Sequence, residues 1–435
     1  MFLGIQEAGS GVWLGGRKIP SENTDDIALC LKQSADRFGR PHRILHDLNS
    51  AMINACDHAL PGVPHFVCHY HLAHDVGEDL YEEPQAALSK RLRAMQVQLR
   101  MRDQRKNQIE NFRAAGSSAA ELVLTELLAG RPVAVPFDGS LGREVLMALH
   151  YWILDYRCDG RRLGFPFDPY LLYLHRRMIR AGELADRLFA DHVVAQQMPQ
   201  ALRNLQKQLG EYRRDPQIVA AADSYERAAA MFHRLRDALR LSADQMANWK
   251  EPHALPTCQQ QELRTALEDL RQQLLQQSAD DTSQDAALAR IVLTHLDKYW
   301  NYLIPEGESK ASRGWERTTN KLESGWRDLK RIRRKTHGRG KLTRDFQSLP
   351  EEYLLIPNLT NNPYLEVVLD GSLERLPAKL AQASRQGGSF TAWRGRHHPR
   401  LLGQLPYHLL RNGNFLMDLF AVCSDYCHSS SEIAD

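Results

Sequence analysis

From about Leu80 to Ile304 the sequence reads as helix almost without interruption. Long Leu, Gln, Arg and Ala-rich segments are broken only at places such as Gly130-Arg131-Pro132 and Gly164-Phe165-Pro166. A run of that length predicts a separate all-helical insert, so any sheet has to be built from what precedes and follows it. What precedes it carries strand signals. Met1 to Gln6 and Val12-Trp13-Leu14 alternate around a Gly9-Ser10-Gly11 turn, which predicts an opening hairpin. Ser21-Glu22-Asn23-Thr24 then leads into Asp25-Asp26 and an apolar rhythm through Ile27, Leu31 and Phe38 closed by Gly39: acids at the start and glycine at the stop predict a helix. Arg43 to Asp47 reads as a short strand ending in an acid, Met52 to Leu60 as a helix, and His65 to Cys68 as a second buried strand running into His69-Tyr70-His71. Strand, helix, strand implies a parallel pair. Sites in such sheets lie at the carboxyl ends of the strands, where Asp47 and Cys68 fall.

The 435-residue chain, 43% hydrophobic and 25% charged, has the composition of an ordinary globular protein. No 18 apolar residues run together and Met1 to Gln6 lack the basic flank of a signal peptide, so a cytoplasmic, nucleoid-associated protein with no membrane partner is expected. The seven scattered cysteines suit reduced thiols better than a disulfide framework.

Positive charge is concentrated after the helical run. From Lys321 to Arg344 there are ten Lys or Arg against Glu323 and Asp328, in a chain whose net charge is +3. Asn320 is placed to cap a helix, and Glu323 stands where a capping-box carboxylate would. Arg327, Lys330 and Arg334 follow at helical spacing. With Arg331, Arg333, Lys335, Arg339 and Lys341 they predict a phosphate-binding, DNA-attracting helix. Glu323 within it is either a cap or a metal ligand beside the nucleic-acid backbone. Asp47 and Glu323 together have the donor type that Mg²⁺ or Mn²⁺ requires, although only a fold could unite them. Cys68-His69-Tyr70-His71 forms a CxxH with His74 one turn on. Zinc is not expected there, because no second matched pair lies nearby and Cys423, Cys427 and His428 would have to return from the far end of the chain. The sequence has no Gly-rich phosphate loop, nucleophile elbow or HExxH.

In this order, an aspartate closing a strand (His46-Asp47), a strand ending in CxxH (Phe66 to His71), a long helical insert, and Thr318-Thr319-Asn320-x-x-Glu323 before a basic helix, the chain resembles the Mutator-like (MULE-type) DDE transposases of bacterial insertion sequences and eukaryotic elements. The resemblance spans roughly residues 1 to 340. It implies an α/β fold with a ribonuclease-H-like core and a large helical insertion. The corresponding division is 1–79 and 313–345 for the core, 80–312 for the insertion and 346–435 for a C-terminal appendage. It makes Asp47 and Glu323 catalytic metal ligands, Cys68 and His71 the CxxH pair near the site, Mg²⁺ or Mn²⁺ the cofactor, and transposon ends and target DNA the partners, with self-association as a homo-oligomer. In that family the first catalytic aspartate precedes the hairpin, and no Asp stands before Asp25. The resemblance therefore implies a chain that starts downstream of that acid, lacks the first strand and is inactive by itself, with unpaired strand edges where the strand would lie. The alternative expectation is a non-catalytic or domesticated DNA-binding protein derived from such an enzyme. A weaker one is a helical scaffold with an incidental basic helix.

Overall fold

The computed structural model describes residues 2–112, 125–126, 129, 139–190, 192–241, 254–255, 258–280, 283–304, 315–338, 341–342, 346, 349 and 351–385. The chain forms two compact units: Met1–His71, Asn248–Gln261 and Tyr299–Asp435 make one, and Leu72–Ala247 with Glu262–Lys298 make the other.

The first unit opens with the hairpin, β1 (Phe2–Gln6) antiparallel to β2 (Trp13–Lys18), closed by Glu7, whose carboxylate accepts from the Gly9 and Ser10 amides. Helix α1 (Thr24–Phe38) starts where expected. Asn23 accepts from the Asp26 amide (2.9 Å) and Asp25 and Asp26 occupy the first turn. Strand β3 (Ile44–His46), helix α2 (Ser50–Ala59) and strand β4 (His65–Val67) follow, with β3 and β4 parallel in the register Ile44 to His65 and His46 to Val67. Leu3, Ile19, Ile27, Ala28, Cys30, Ala55, Ala59 and Val63 form one core beneath these elements. Among the described residues the hairpin and the parallel pair remain separate two-stranded sheets, and a third small pair joins β5 (Ala254–Leu255) to β6 (Trp315–Glu316). The result is an α/β unit with little strand.

Side chains from far along the chain cover the edge of β2. The Asn358 side chain donates to the Trp13 carbonyl and accepts from the Trp13 amide, both at 2.8 Å, and Glu351 accepts from the Lys18 amide at 2.7 Å. Both residues lie in a 3₁₀ helix (Glu351–Thr360), so this part of the stretch expected as a C-terminal appendage is integral to the first unit. Its side chains stand in for a neighbouring strand and leave fewer open backbone groups on the edge.

Among the described residues the regular structure of the second unit is all helical. It contains most of α3 (His69–Ala94), then α4 (Val97–Phe112), α5 (Gly139–Leu154), α6 (Tyr170–Ala190), α7 (His192–Gln197), α8 (Gln200–Arg214), α9 (Pro216–Ala238), α10 (Cys258–Ser278) and α11 (Gln284–Tyr299). Tyr81 is enclosed by Phe165, Tyr225 and Phe232, and the buried Arg236 guanidinium stacks over Phe167 and Phe232. Charged side chains of these helices are in part internally paired: Arg91 with Asp215, Arg176 with Glu226, Arg177 with Asp159. The helical body begins at His69, directly after β4, rather than near Leu80. Among the described residues no helix is long and apolar enough to cross a membrane.

The basic segment folds as α12 (Asn320–His337), ended by Gly338 in the left-handed region at φ 63°. Thr319, not Asn320, occupies the cap position, and its side chain makes no cap bond. Leu322, Trp326 and Leu329 form the face of α12 that packs with Trp13, Tyr353 and Leu354. Gly325 lies where Trp13 presses on the helix: a Cβ there would stand 2.6 Å from the indole Cζ2. Alanine would gain about 1 kcal/mol of helix propensity, but overpacking against an enclosed ring costs roughly 1–3 kcal/mol. Gly325→Ala is therefore expected to lower stability in urea unfolding, whereas the same change at an exposed helical glycine would raise it.

Candidate active site

The two carboxylates singled out in the sequence come together at the carboxyl ends of the parallel strands. Asp47 follows β3 and Cys68 follows β4. The returning chain is tied to this edge by one backbone bond and two that use a side chain. The His69 amide donates to the Arg317 carbonyl (3.0 Å), and the Thr319 amide donates to Cys68 Sγ (3.3 Å). The Tyr299 hydroxyl donates to the Leu48 carbonyl (3.1 Å). These ties set the first turn of α12, and with it Glu323, against Asp47.

Thr319 Oγ1 is the hub. It lies 3.2 Å from Asp47 Oδ1, 3.1 Å from Glu323 Oε1 and 3.5 Å from Cys68 Sγ, and its single proton serves one of them at a time. Two carboxylate oxygens sharing one hydroxyl are well inside the roughly 10 Å compatible with a common two-metal site. His71 spans the same pair, with Nδ1 3.0 Å from Asp47 Oδ1 and Nε2 3.3 Å from Glu323 Oε1. A carboxylate oxygen beside each ring nitrogen favours the doubly protonated, charged form of His71. Burial opposes that charge, but the Asp47 and Cys68 bonds and the Asp47 carboxylate overcome it and push His71 up to about 11. Asp47 shifts the other way: burial raises it, while His71 and Thr319 together hold it below the ordinary carboxylate value. The Asp47 side chain is about half exposed at 51% and Glu323 less so at 31%, so the oxygens remain open to solvent.

Glu323 is thus no capping-box residue. Its amide donates to the Thr319 carbonyl (2.9 Å) in the ordinary helical way while its carboxylate faces Thr319 Oγ1 and His71. Thr319 entered the sequence reading only as part of the Thr318-Thr319-Asn320 motif, with no role of its own. The available signal was a Thr-Thr-Asn run with no reason to be exposed, and all three side chains prove buried.

The basic residues divide by face. Arg327, Lys330, Arg331, Arg334, Lys335 and Lys341 are exposed, and Arg331 pairs with Asp328 at 3.1 Å. Arg333 is a correction. At 3% exposure it lies one turn beyond Leu329 on the buried stripe, so it is not a surface phosphate ligand. Arg339, and Cys423, Cys427 and His428, lie outside the described residues.

His69 anchors the same edge from inside, its Nε2–H donating to the Leu303 carbonyl at 2.7 Å. Burial, reinforced by the Arg317 charge and opposed by the Leu303 bond, pushes it down to about 3. A histidine held neutral in the fold and free to charge when unfolded contributes stability that is complete above its ordinary 6.5 and is lost as pH falls from there toward 3. Between pH 7 and pH 5 the expected loss from this group is about 2 kcal/mol. Urea unfolding at the two pH values should show it, and His69→Gln should flatten the difference.

No protein-family model, no curated protein and no solved structure matches this chain.

Proposed function

We propose that this chain carries the metal-binding site of a DDE-type DNA transposase of the Mutator-like kind on a ribonuclease-H-like core. The reading rests above all on the convergence of Asp47 and Glu323, far apart in the sequence, on His71 and Thr319 at the carboxyl ends of β3 and β4. The donor set fits a hard divalent cation. Two carboxylates with solvent-open oxygens suit Mg²⁺ or Mn²⁺, and their convergence on His71 makes a place that favours positive charge. Asp47 and Glu323 would hold the ion. When bound, it supplies activation of water or a 3′ hydroxyl for attack on a phosphodiester and stabilisation of the departing oxygen. Thr319 offers its single proton to one carboxylate at a time, and His71 lies between the two. The exposed bases Arg327, Lys330 and Arg334 of α12, which begins at this site, neutralise DNA phosphates and bring the backbone to the carboxylates.

One observation favours the second reading, a DNA-binding protein without cleavage. Among the described residues, the hydrogen-bond and ion-pair partners of His71 and Thr319 include Asp47 and Glu323 but no third carboxylate. Incubating the full chain with supercoiled plasmid and Mn²⁺ separates the two. Nicking that chelator abolishes supports the enzyme, and salt-sensitive binding with no nicking supports the binding protein.

A further inference from the structure

A second cluster lies in the first unit, around the histidine that precedes Asp47 in the chain. His46 ends β3, Cys56 lies in α2 and His65 begins β4. One ring nitrogen of each histidine and the Cys56 sulfur all fall within 4.8 Å of one another, with His46 and Cys56 buried. The hydrogen bonds around the two rings make this more than proximity. His46 Nδ1 is 2.7 Å from the Asp47 carbonyl oxygen, which can only accept, so Nδ1 carries the proton and Nε2 presents its lone pair. His65 Nε2 is 3.0 Å from Asp57 Oδ1, also an acceptor, so Nε2 carries the proton and Nδ1 presents its lone pair. These two lone pairs then face each other at 3.0 Å. Neutral imidazoles so oriented repel, and the pair needs a cation between or beside them: one extra proton, or a metal.

We infer that His46, Cys56 and His65 bind a borderline transition-metal ion, zinc by preference, with Asp57 and the Asp47 carbonyl as its outer shell.

Three features favour metal over a proton. Zn–N bonds of about 2.0–2.1 Å at a tetrahedral angle place two nitrogens roughly 3.3 Å apart, near the observed separation, and a Zn–S bond of about 2.3 Å keeps the sulfur within the observed radius. A ligating histidine ordinarily donates its other N–H to a carboxylate or a backbone carbonyl, and here one ring has each arrangement. A proton shared between rings would leave the neighbouring buried thiol without a role, whereas an N₂S set is a donor combination that zinc accepts. Three protein ligands leave a fourth position for water. This set is distinct from Cys68 and His71, and it stands whether or not Asp47 and Glu323 serve DNA chemistry. Because His46 immediately precedes Asp47, the ion would also fix the end of the strand that carries that carboxylate.

The test is metal content of the full chain, reduced, freed of histidine tags, loaded with Zn²⁺ and dialysed against metal-free buffer. About one zinc per chain is expected for the wild type and for Cys68→Ala. Cys56→Ala and His65→Ala should lose it. Asp57 is exposed, so Asp57→Ala is the variant least able to disturb folding, and it should weaken Zn²⁺ binding roughly 10–100-fold. Loading the wild type with Co²⁺ should give a thiolate-to-metal charge-transfer band that disappears in Cys56→Ala. A folded wild-type chain that takes up neither Zn²⁺ nor Co²⁺, or a band that survives Cys56→Ala and is lost in Cys68→Ala, would overturn the assignment. The extra proton would then be what holds the two rings together.

Discussion

A chain in which Arg327, Lys330 and Arg334 are all alanine is expected to bind duplex DNA with a log K against log salt slope shallower by about 2.7, three phosphates at roughly 0.9 each. The three are exposed on α12 and fall on one side of it, at positions i, i+3 and i+7. Nothing in that stripe resembles a base-reading array, so affinity should fall by a similar factor on unrelated sequences. Arg331 should contribute less, because Asp328 already offsets its charge. Arg333→Ala supplies the contrast: its side chain is buried beside Leu329, so the salt slope should stay as in the wild type while stability falls. Fluorescence anisotropy over a salt series measures all of these. An unchanged slope in the triple variant would mean that this face of α12 meets something other than nucleic acid.

The division between Arg333 and its neighbours shows where sequence reading stops. Counting charge along 321–344 finds the basic helix, since ten like charges need no fold to be noticed. It does not find the face. Trp326, Leu329 and Arg333 share one stripe, and that stripe is buried only because Trp13 and Tyr353 come from distant parts of the chain to cover it. The short strands β3 and β4 were legible, being apolar runs bounded by turns, and so was the position of Asp47 and Cys68 at their ends. What could not be read was side chain to backbone pairing across long separations. Asn358 serving both polar groups of Trp13, and Thr319 binding Asp47, have no periodicity, because one amide or hydroxyl does the work that a run of residues does in a strand. The same holds for His46, Cys56 and His65, whose spacing matches no ligand motif until the crossover helix α2 folds back beside the paired strands.

Asp47→Asn and Glu323→Gln have the largest expected effect on chemistry. If the ion supplies several kcal/mol of transition-state stabilisation, removing either carboxylate charge should slow Mg²⁺- or Mn²⁺-dependent DNA nicking on the order of 100- to 1,000-fold. DNA affinity at fixed salt should change little, because neither acid contacts phosphate directly in this account. The two variants should also act through metal binding. His71, pushed up to about 11, fills the space between the carboxylates with positive charge at neutral pH, so a divalent ion has to displace that charge. Affinity for the ion should therefore rise as pH rises, and uptake should release protons.

Mn²⁺ binding to the full chain, followed by electron paramagnetic resonance, bears most directly on whether Asp47 and Glu323 form one metal site. The expected result is specific binding by the wild type that Asp47→Asn and Glu323→Gln each weaken by more than about 100-fold, beyond what loss of an outer-shell group produces, while Cys56→Ala leaves it intact. A wild-type chain that binds no Mn²⁺, or carboxylate variants that bind it as the wild type does, would contradict the account.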